Sequence, residues 1–325
     1  MRKWITFLMT LLVGSSISYA NADSAQVTLE AGYRHDNINW KHKVPSCDPI
    51  FKRTTKFEDI DIFQVGLKGR SMLGCNFYVR GAASFGWILD GDFKQSVSTF
   101  FRPSFSDFGS LSQDFEFSAH HREVIDDKYV YDLNIAVGYP FYFCDCTLAV
   151  SPVIGYAVDA QHLCVEHEGF NFGSFSDGFF PESGSDCCCH KFTNRWYGPF
   201  IGVDFTYRPC GECWNLYAEL EYHYARFKAR FDHDDFSLFG DNHSHRSRHA
   251  HGWVFGLGAD YDLSCDWTLG LSVKFQDWKA HRNHRNHCGD SLSSSGFFGS
   301  SNFGREKNEH KWHSYAINLT LGKHF

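Results

Sequence analysis

Apolar and polar residues alternate along most of this chain. Near its C-terminal end Tyr315, Ile317, Leu319 and Leu321 are apolar, and the residues between them are small or polar. Because successive side chains of a strand point to opposite faces, this pattern predicts a strand with one apolar face. Similar stretches predict ten strands, at residues 26–40, 57–70, 76–89, 127–140, 146–160, 195–208, 214–230, 251–263, 267–280 and 311–325.

The second predicted strand is the least regular of the ten. Ile60 and Ile62 are out of phase with Phe63, Val65 and Leu67. An inserted residue changes the phase of a strand in this way, so we expect a β-bulge between the two sets.

The connections between the predicted strands alternate in length. Those after strands two, four, six and eight are the short segments SMLGC, FYFCD, PCGEC and SC, whereas the others are long and polar. Short periplasmic turns opposite long extracellular loops are typical of outer-membrane barrels, whose apolar strand faces meet lipid. We therefore predict an all-β protein, a ten-stranded antiparallel transmembrane β-barrel. Phe325, in phase with the apolar set, would complete the lipid-facing side of the last strand.

Charges in the middle of the predicted strands favour a membrane barrel over a secreted β-sandwich, whose inner face would be dry and apolar. They have both signs and occupy the polar faces. A ten-stranded barrel is only slightly wider than the side-chain-filled eight-stranded kind, so such groups could pair across the lumen and block flow. The residues that we expect in the lumen are Arg80, Asp132, Glu219, Glu221, His223 and Lys274.

The N-terminal residues have the pattern of a secretory signal. Arg2 and Lys3 precede an apolar run over residues 4–13, which is too short to span a membrane, and Ala20-Asn21-Ala22 fits a cleavage site. We expect a signal peptide over residues 1–22 and a barrel over residues 23–325, located in the cell outer membrane. The mature chain would have a net charge of about −9, from 29 Lys and Arg against 38 Asp and Glu. We find no basic patch in the sequence and expect no nucleic-acid partner.

Twelve cysteines lie in the predicted turns and loops, and none lies in the middle of a predicted strand. An oxidising compartment favours disulfides, within the chain or to neighbouring proteins. Zinc is the alternative for Cys210 and Cys213, but only two ligands are local, so we predict no metal there. We expect Cys75 and Cys265 not to pair with each other. The periplasmic set is Cys75, Cys144, Cys146, Cys210, Cys213 and Cys265, and the external set is Cys47, Cys164, Cys187, Cys188, Cys189 and Cys288.

This use of cysteine resembles that of the disulfide-linked envelopes of chlamydia-related bacteria, and the chain resembles the Protochlamydia outer membrane protein family. The resemblance implies a surface-exposed, porin-like envelope component. The partners that it implies are outer-membrane lipid and other Cys-rich envelope proteins joined by disulfides. We predict no cofactor.

The number and spacing of the strands also resemble those of the omptins, the surface proteases of outer membranes. Two stretches that carry the resemblance are YDLNIAVGY from Tyr131 and PFIGVDFTYR from Pro199. An omptin site has an Asp pair after strand three and an Asp-x-His after strand seven, which together activate a water by general-base chemistry. The resemblance therefore implies a possible hydrolytic site.

The match to that site is incomplete. Asp90 and Asp92 match the first pair and Asp232 matches the second aspartate, but Asp234 stands where the histidine belongs. His233 is adjacent to Asp232, and neighbouring residues of an extended segment point to opposite faces. Asp232 and His233 should therefore not both face a cleft. The other interpretation is that these acidic residues are solvated groups at loop bases.

Nineteen histidines lie mainly in the long loops, in HSHRSRHAH over residues 243–251 and HRNHRNH over residues 281–287. Such clusters could chelate a divalent metal, but the interleaved arginines oppose cation binding, so we predict no metal site. The sequence thus predicts an envelope barrel, porin-like or surface-structural, stabilised or crosslinked by disulfides. An omptin-like surface protease and an adhesin acting through its loops remain the alternatives.

Overall fold

The computed structural model describes ten segments of the chain, and nearly all of their residues lie in strands. The described residues are 22–45, 50–73, 77–100, 115–120, 128–144, 147–166, 189–232, 243–264, 266–286 and 304–325. The strands are β1 Ala22–Pro45, β2 Ile50–Leu73, β3 Phe77–Phe100, β4 Phe115–His120, β5 Tyr129–Gly138, β6 Phe141–Phe143, β7 Leu148–Glu166, β8 Cys189–Tyr207, β9 Trp214–Asp232, β10 His243–Asp262, β11 Trp267–Asn286 and β12 Gly304–His324. Among these residues, no helix has the length and apolar content needed to cross a membrane.

The strands form a closed antiparallel barrel of ten staves, as the sequence predicts. Each stave pairs with its neighbours in the sequence, and β1 closes the barrel by pairing with β12. The fourth stave is divided among three strands: β4 and β5 pair with different parts of β3, and β6 pairs with β7. We call the end with the short connections the turn end and the opposite end the loop end. The last residue lies at the turn end, where the Phe325 amide donates to the Ala25 carbonyl at 2.9 Å.

The strands extend further towards the loop end than the sequence predicts. The first connection was expected over residues 41–56, but β1 reaches Pro45 and β2 begins at Ile50. The alternation continues towards the loop end, but there the apolar side chains point inward and the polar side chains point outward. In the lower part of β9 the outward side chains are apolar, whereas near the loop end Ala225 and Phe227 point inward and Arg226 and Lys228 point outward. The outward face is therefore apolar over only part of each strand, and the predicted strands end too early.

β2 contains a bulge, as predicted, but the bulge precedes Ile60. It does not separate Ile60 and Ile62, which point inward, from Phe63, which points outward in regular alternation. The register with β3 shifts between Glu58 and Asp61, and Asp59 has a φ of 54°. Asp is one of the few residues other than glycine that adopt this conformation readily, and the Asn37 side-chain oxygen accepts a 3.0 Å bond from the Asp59 amide. The shift lets Phe57 above it and Ile60 below it both point into the barrel.

The lipid-facing side chains form a wide band around the barrel. The alternation predicts that Phe85, Trp87, Leu133, Ile135, Leu269 and Leu271 face lipid. Five of these six are exposed, with relative accessibilities between 41% and 59%, namely Trp87, Leu133, Ile135, Leu269 and Leu271. The sixth, Phe85, is half-buried because its ring stacks on that of Tyr129 at 5.5 Å. This band fixes which strand positions face the bilayer and which face the interior.

Arginine at Ile135 tests this assignment. Ile135 points to lipid, so we expect Ile135→Arg to lower the free energy of unfolding by about 2–4 kcal/mol if the site lies near the bilayer midplane. Asn134, the preceding residue, lines the interior, so Asn134→Arg should cost much less. Urea titrations of the refolded variants in lipid vesicles measure both values, and equal costs would contradict the strand phase.

Candidate functional site

The lower half of the barrel interior is crossed by an ion-pair network centred on Arg80 of β3. Its Nε lies 2.8 Å from the Asp204 carboxylate of β8, and its two other nitrogens pair with Glu219 and Glu221 of β9. Arg70 of β2 also reaches Glu219, at 2.7 Å. The Arg80 side chain is 2% exposed. The network therefore ties together four staves across the lumen.

A second network lies around Arg34 of β1. Its guanidinium binds Asp36 through two nitrogens, both at 2.8 Å, and Asp132 of β5 through the third, also at 2.8 Å. Gln161 donates to Asp36 and accepts a 2.7 Å bond from the Asn194 amide. A planar guanidinium suits this bidentate arrangement, since its donors are fixed in a fork. All five side chains belong to residues buried inside the barrel.

A small polar cavity remains between the staves. Its volume is about 70 Å³, and its lining includes Lys68, Asp159, Glu219, Lys274 and Asn318. By this measure a water molecule needs at least about 10–15 Å³, so the cavity can hold several waters. Its charged and polar lining lies within the layer of ion pairs.

Above the charged layer, large aromatic side chains fill the interior towards the loop end. We call this group the aromatic plug. It consists of Trp40, Phe57, Phe93, Phe192, Trp196, Phe227, Trp278 and Trp312, each at most 8% exposed. Trp278 and Trp312 stack with ring centroids 5.8 Å apart, and Trp196 lies 4.3 Å from Phe227. The Arg34 guanidinium lies 5.3 Å from the Trp312 ring, so the plug rests directly on the second network.

We did not predict the plug from the sequence, although a signal for it exists. Trp278 has the same strand phase as Lys274 and Gln276, which are polar inward-facing residues of β11. An aromatic residue at a lumen position near a loop is therefore the sign that the interior has become apolar. Aromatic residues near strand ends also fit a lipid-facing interfacial girdle, so the sequence does not single out the plug.

The structure places all six predicted lumen residues inside the barrel. Arg80, Asp132, Glu221 and His223 are buried, and Glu219 and Lys274 are half-buried. The Lys274 Nζ lies 3.9 Å from Asp132, and His223 contacts Glu221 at 2.7 Å. Each of these six residues takes part in an ion pair inside the barrel.

The residues that resemble an omptin site are not brought together among the described residues. Asp90 is exposed and accepts a 2.8 Å bond from the Gly91 amide. Asp92 lies between the buried residues Gly91 and Phe93, which puts it on the outer face of β3. The side chain of Asp232, at the end of β9, and the whole of His233 lie outside the described residues.

Three of the twelve cysteines, Cys144, Cys210 and Cys213, are exposed free thiols at the turn end. The Cys210 Sγ lies 3.7 Å from the Thr147 hydroxyl, so the connections β6–β7 and β8–β9 are adjacent. The described residues contain no group of three or more His, Cys, Asp or Glu arranged to hold a metal ion.

The prediction that Cys164 lies in an external loop is wrong, because β7 extends beyond it. Cys164 is buried and disulfide-bonded. Cys189 was likewise assigned to a loop, but it begins β8. The cysteines outside the described residues are Cys47, Cys75, Cys146, Cys187, Cys188, Cys265 and Cys288, and so their predicted pairing stays untested.

Removing Arg80 should destabilise the barrel strongly. Arg80→Met leaves Asp204 and Glu221 buried without their cation, and we expect a loss of about 3–5 kcal/mol in the free energy of unfolding. The control is Lys56→Met, which removes a partly exposed pair with Glu58 at 3.0 Å and should cost less than about 1 kcal/mol. Urea unfolding followed by tryptophan fluorescence compares the two; similar losses would mean that the internal pairs are dispensable.

Comparisons with known proteins agree with this architecture. A model of the Protochlamydia outer membrane protein family matches residues 28–325, while no curated protein matches the chain. Among solved structures, the outer membrane protease OmpT from Escherichia coli has a TM-score of 0.61 at 12% identity, over 95% of this chain and 99% of that one. The outer membrane protein OprG from Pseudomonas aeruginosa has a TM-score of 0.35 at 13% identity, over 94% and 97%.

At these identities the likeness to OmpT shows a shared fold alone, and the likeness to OprG is too weak to add to it. The family match shows membership, because it covers almost the whole barrel, from residue 28 in β1 to Phe325. The chain is an outer-membrane β-barrel and belongs to the Protochlamydia outer membrane protein family.

Proposed function

We propose that the protein is a surface-structural component of the outer membrane whose barrel does not conduct solutes. The aromatic plug is the observation that carries this proposal. Trp196, Trp278 and Trp312 are each at most 1% exposed and contact one another across the barrel. Side chains packed at the density of a protein core leave no continuous path for water, whereas a porin needs a wet lumen.

The charged layer beneath the plug supports the same proposal. Arg80 and Arg34 are held by carboxylates from staves on other parts of the wall, and each is almost fully buried. An ion that crossed this layer would have to break pairs that compensate one another's desolvation. The porin-like reading that the family resemblance implies therefore has less support than the structural one.

The described residues do not support the protease or the adhesin interpretation. A hydrolytic site needs its carboxylates to converge on one water, but Asp90 and Asp92 lie on the outer face of β3. An adhesin would act through the external loops, most of which lie outside the described residues. The structural role is the function that the geometry favours.

We further infer that thiols at the turn end join the barrel to neighbouring Cys-rich envelope proteins. Cys144, Cys210 and Cys213 are exposed and free, and in an outer-membrane barrel this end faces the periplasm. Each crosslink would form by exchange: a thiolate attacks a disulfide of the partner, and the displaced sulfur leaves as a thiolate. Disulfide bonds persist in this oxidising compartment.

Planar-bilayer recording tests the closed lumen. The purified wild-type barrel should insert without conductance steps, and the variant Trp278→Ala/Trp312→Ala should conduct because it loses the stacked pair of the plug. The matched control, Trp214→Ala/Trp253→Ala, removes two tryptophans from the lipid face and should stay silent. Conductance of the wild type would overturn the proposal. A silent plug variant would show that the charged layer beneath the plug closes the lumen without it.

Non-reducing gels of native envelopes test the crosslinks. After alkylation of free thiols before lysis, we expect reductant-sensitive oligomers that are lost from Cys144→Ser/Cys210→Ser/Cys213→Ser. Replacing the predicted external cysteine, Cys288→Ser, should leave these oligomers in place. If the wild type runs as a monomer and mass spectrometry maps six bridges within one chain, the crosslinking role fails.

A further inference from the structure

The outer face of β8, β9 and β10 carries three cations side by side near the loop end. Arg195 of β8 is directly opposite Lys228 of β9, and Lys228 is directly opposite Arg246 of β10. All three side chains are exposed. Neighbouring strands lie about 4.8 Å apart, so the three positions span roughly 10 Å across the barrel wall. We call Arg195, Lys228 and Arg246 the basic row.

The basic row stands just above the lipid-facing band. The highest large exposed side chains of β9 and β10 in that band are Tyr224 and Trp253. Lys228 is four residues beyond Tyr224, which is about 13 Å along a strand and about 10 Å along the membrane normal at the usual tilt. Two further exposed arginines, Arg226 and Arg248, fill this interval. The height is that of the polar headgroups.

Within the described part of the chain, the basic row has no ion-pair partner. Among the described residues, no ion pair involves Arg195, Lys228 or Arg246. The described contact of the Lys228 ammonium is with the Tyr197 ring, 5.2 Å away. Like charges directly opposite each other on neighbouring strands destabilise a sheet. Repulsion among the three cations destabilises the isolated barrel, and an anion bound between them would offset this repulsion.

On the opposite side of the barrel, the outward-facing cations have a carboxylate between them. β2 is five staves away from β9. There Glu58 lies between two lysines, 3.0 Å from Lys56 and 2.6 Å from Lys94. On that side a carboxylate thus lies between two loop-end cations, whereas no described carboxylate pairs with the basic row.

His162 of β7 lies beside the basic row. It lies opposite Thr193, two residues from Arg195 on β8. Burial lowers the pKa of the His162 imidazole, and the positive charges of Arg195 and Lys128 lower it further. The positive field therefore extends from the row to β7.

We propose that the basic row binds the phosphorylated headgroup of an outer-leaflet lipid. A guanidinium binds phosphate through two parallel hydrogen bonds, and an ammonium adds a compact charge. The row offers two guanidinium groups on either side of one ammonium, at headgroup height and above exposed aromatic side chains. The site does not depend on whether the lumen is closed or the thiols are crosslinked.

The sequence does not show this site. Arg195, Lys228 and Arg246 are far apart along a chain of net charge −7, and only the strand register brings them into one row. The conclusion that the sequence contains no basic patch is correct for contiguous residues and wrong for the folded surface.

Lipid selectivity of the purified full-length barrel tests the proposal without any variant. The probe is a diphosphorylated lipid A, compared with the same lipid after removal of its phosphates, and native mass spectrometry counts the bound molecules at near-physiological ionic strength. We expect the phosphorylated lipid to bind the wild type about 100-fold more tightly. Each of three cations near an anionic surface contributes about a 5-fold factor. Equal binding of the two lipids would overturn the proposal.

Charge variants then locate the site. Arg195→Gln/Lys228→Gln/Arg246→Gln should lose the preference for the phosphorylated lipid, whereas Arg246→Lys, which keeps the charge, should retain most of it. The matched control on the opposite side is Lys52→Gln/Lys56→Gln/Lys94→Gln, which should bind like the wild type. A heat-induced shift in gel mobility verifies that each barrel is folded.

Two results would overturn the assignment. One is a preference for the phosphorylated lipid that persists in the folded triple-glutamine variant or disappears equally in the control. The other is binding of a soluble sulfated polysaccharide through the basic row without discrimination between the two lipids. The second result would make the row a site for a surface polymer instead of a lipid.

Discussion

Compensation of charge inside a closed barrel is the constraint on which the structure depends. Ten staves enclose a space too narrow for bulk solvent, so inward-facing charges must find partners on other staves. Arg80 and Arg34 meet this requirement, because each pairs with carboxylates on different strands. Above them the interior changes from ion pairs to aromatic rings, and the Arg34–Trp312 contact joins the two layers. The closed lumen follows from this filling.

The membrane-spanning part of the fold was predictable from the sequence because its alternation has one sense. An apolar outward face and a polar inward face identify all ten staves. The apparent change of phase between Ile62 and Phe63 has another cause: Ile60 and Ile62 are apolar residues that point inward, and the bulge lies before them at Asp59. Beyond the bilayer the outer face meets water. The same alternation then places Phe227 inside and Lys228 outside, so the ends of the strands and the plug escaped prediction.

Sites formed by register are less accessible to sequence reasoning than strands are. The Asp90–Asp92 pair looked like half of a hydrolytic site because of its position after a strand, but its orientation depends on the local register with β2, which shifts near Asp61. Spacing within one strand fixes which residues share a face. Pairing between strands fixes which residues meet, and a single sequence does not contain it. The likeness to OmpT, at 12% identity, shows a shared barrel fold alone.

The upward extension of the strands sets how far from the membrane the protein presents its outermost residues. On β1 the last large exposed apolar side chain is Tyr33, yet the strand continues to Pro45. Twelve residues correspond to about 40 Å of strand, or roughly 30 Å of height at a usual tilt. The upper parts of β1 and β2 thus project well above the membrane. A molecule arriving from outside meets them well before it reaches the lipid headgroups.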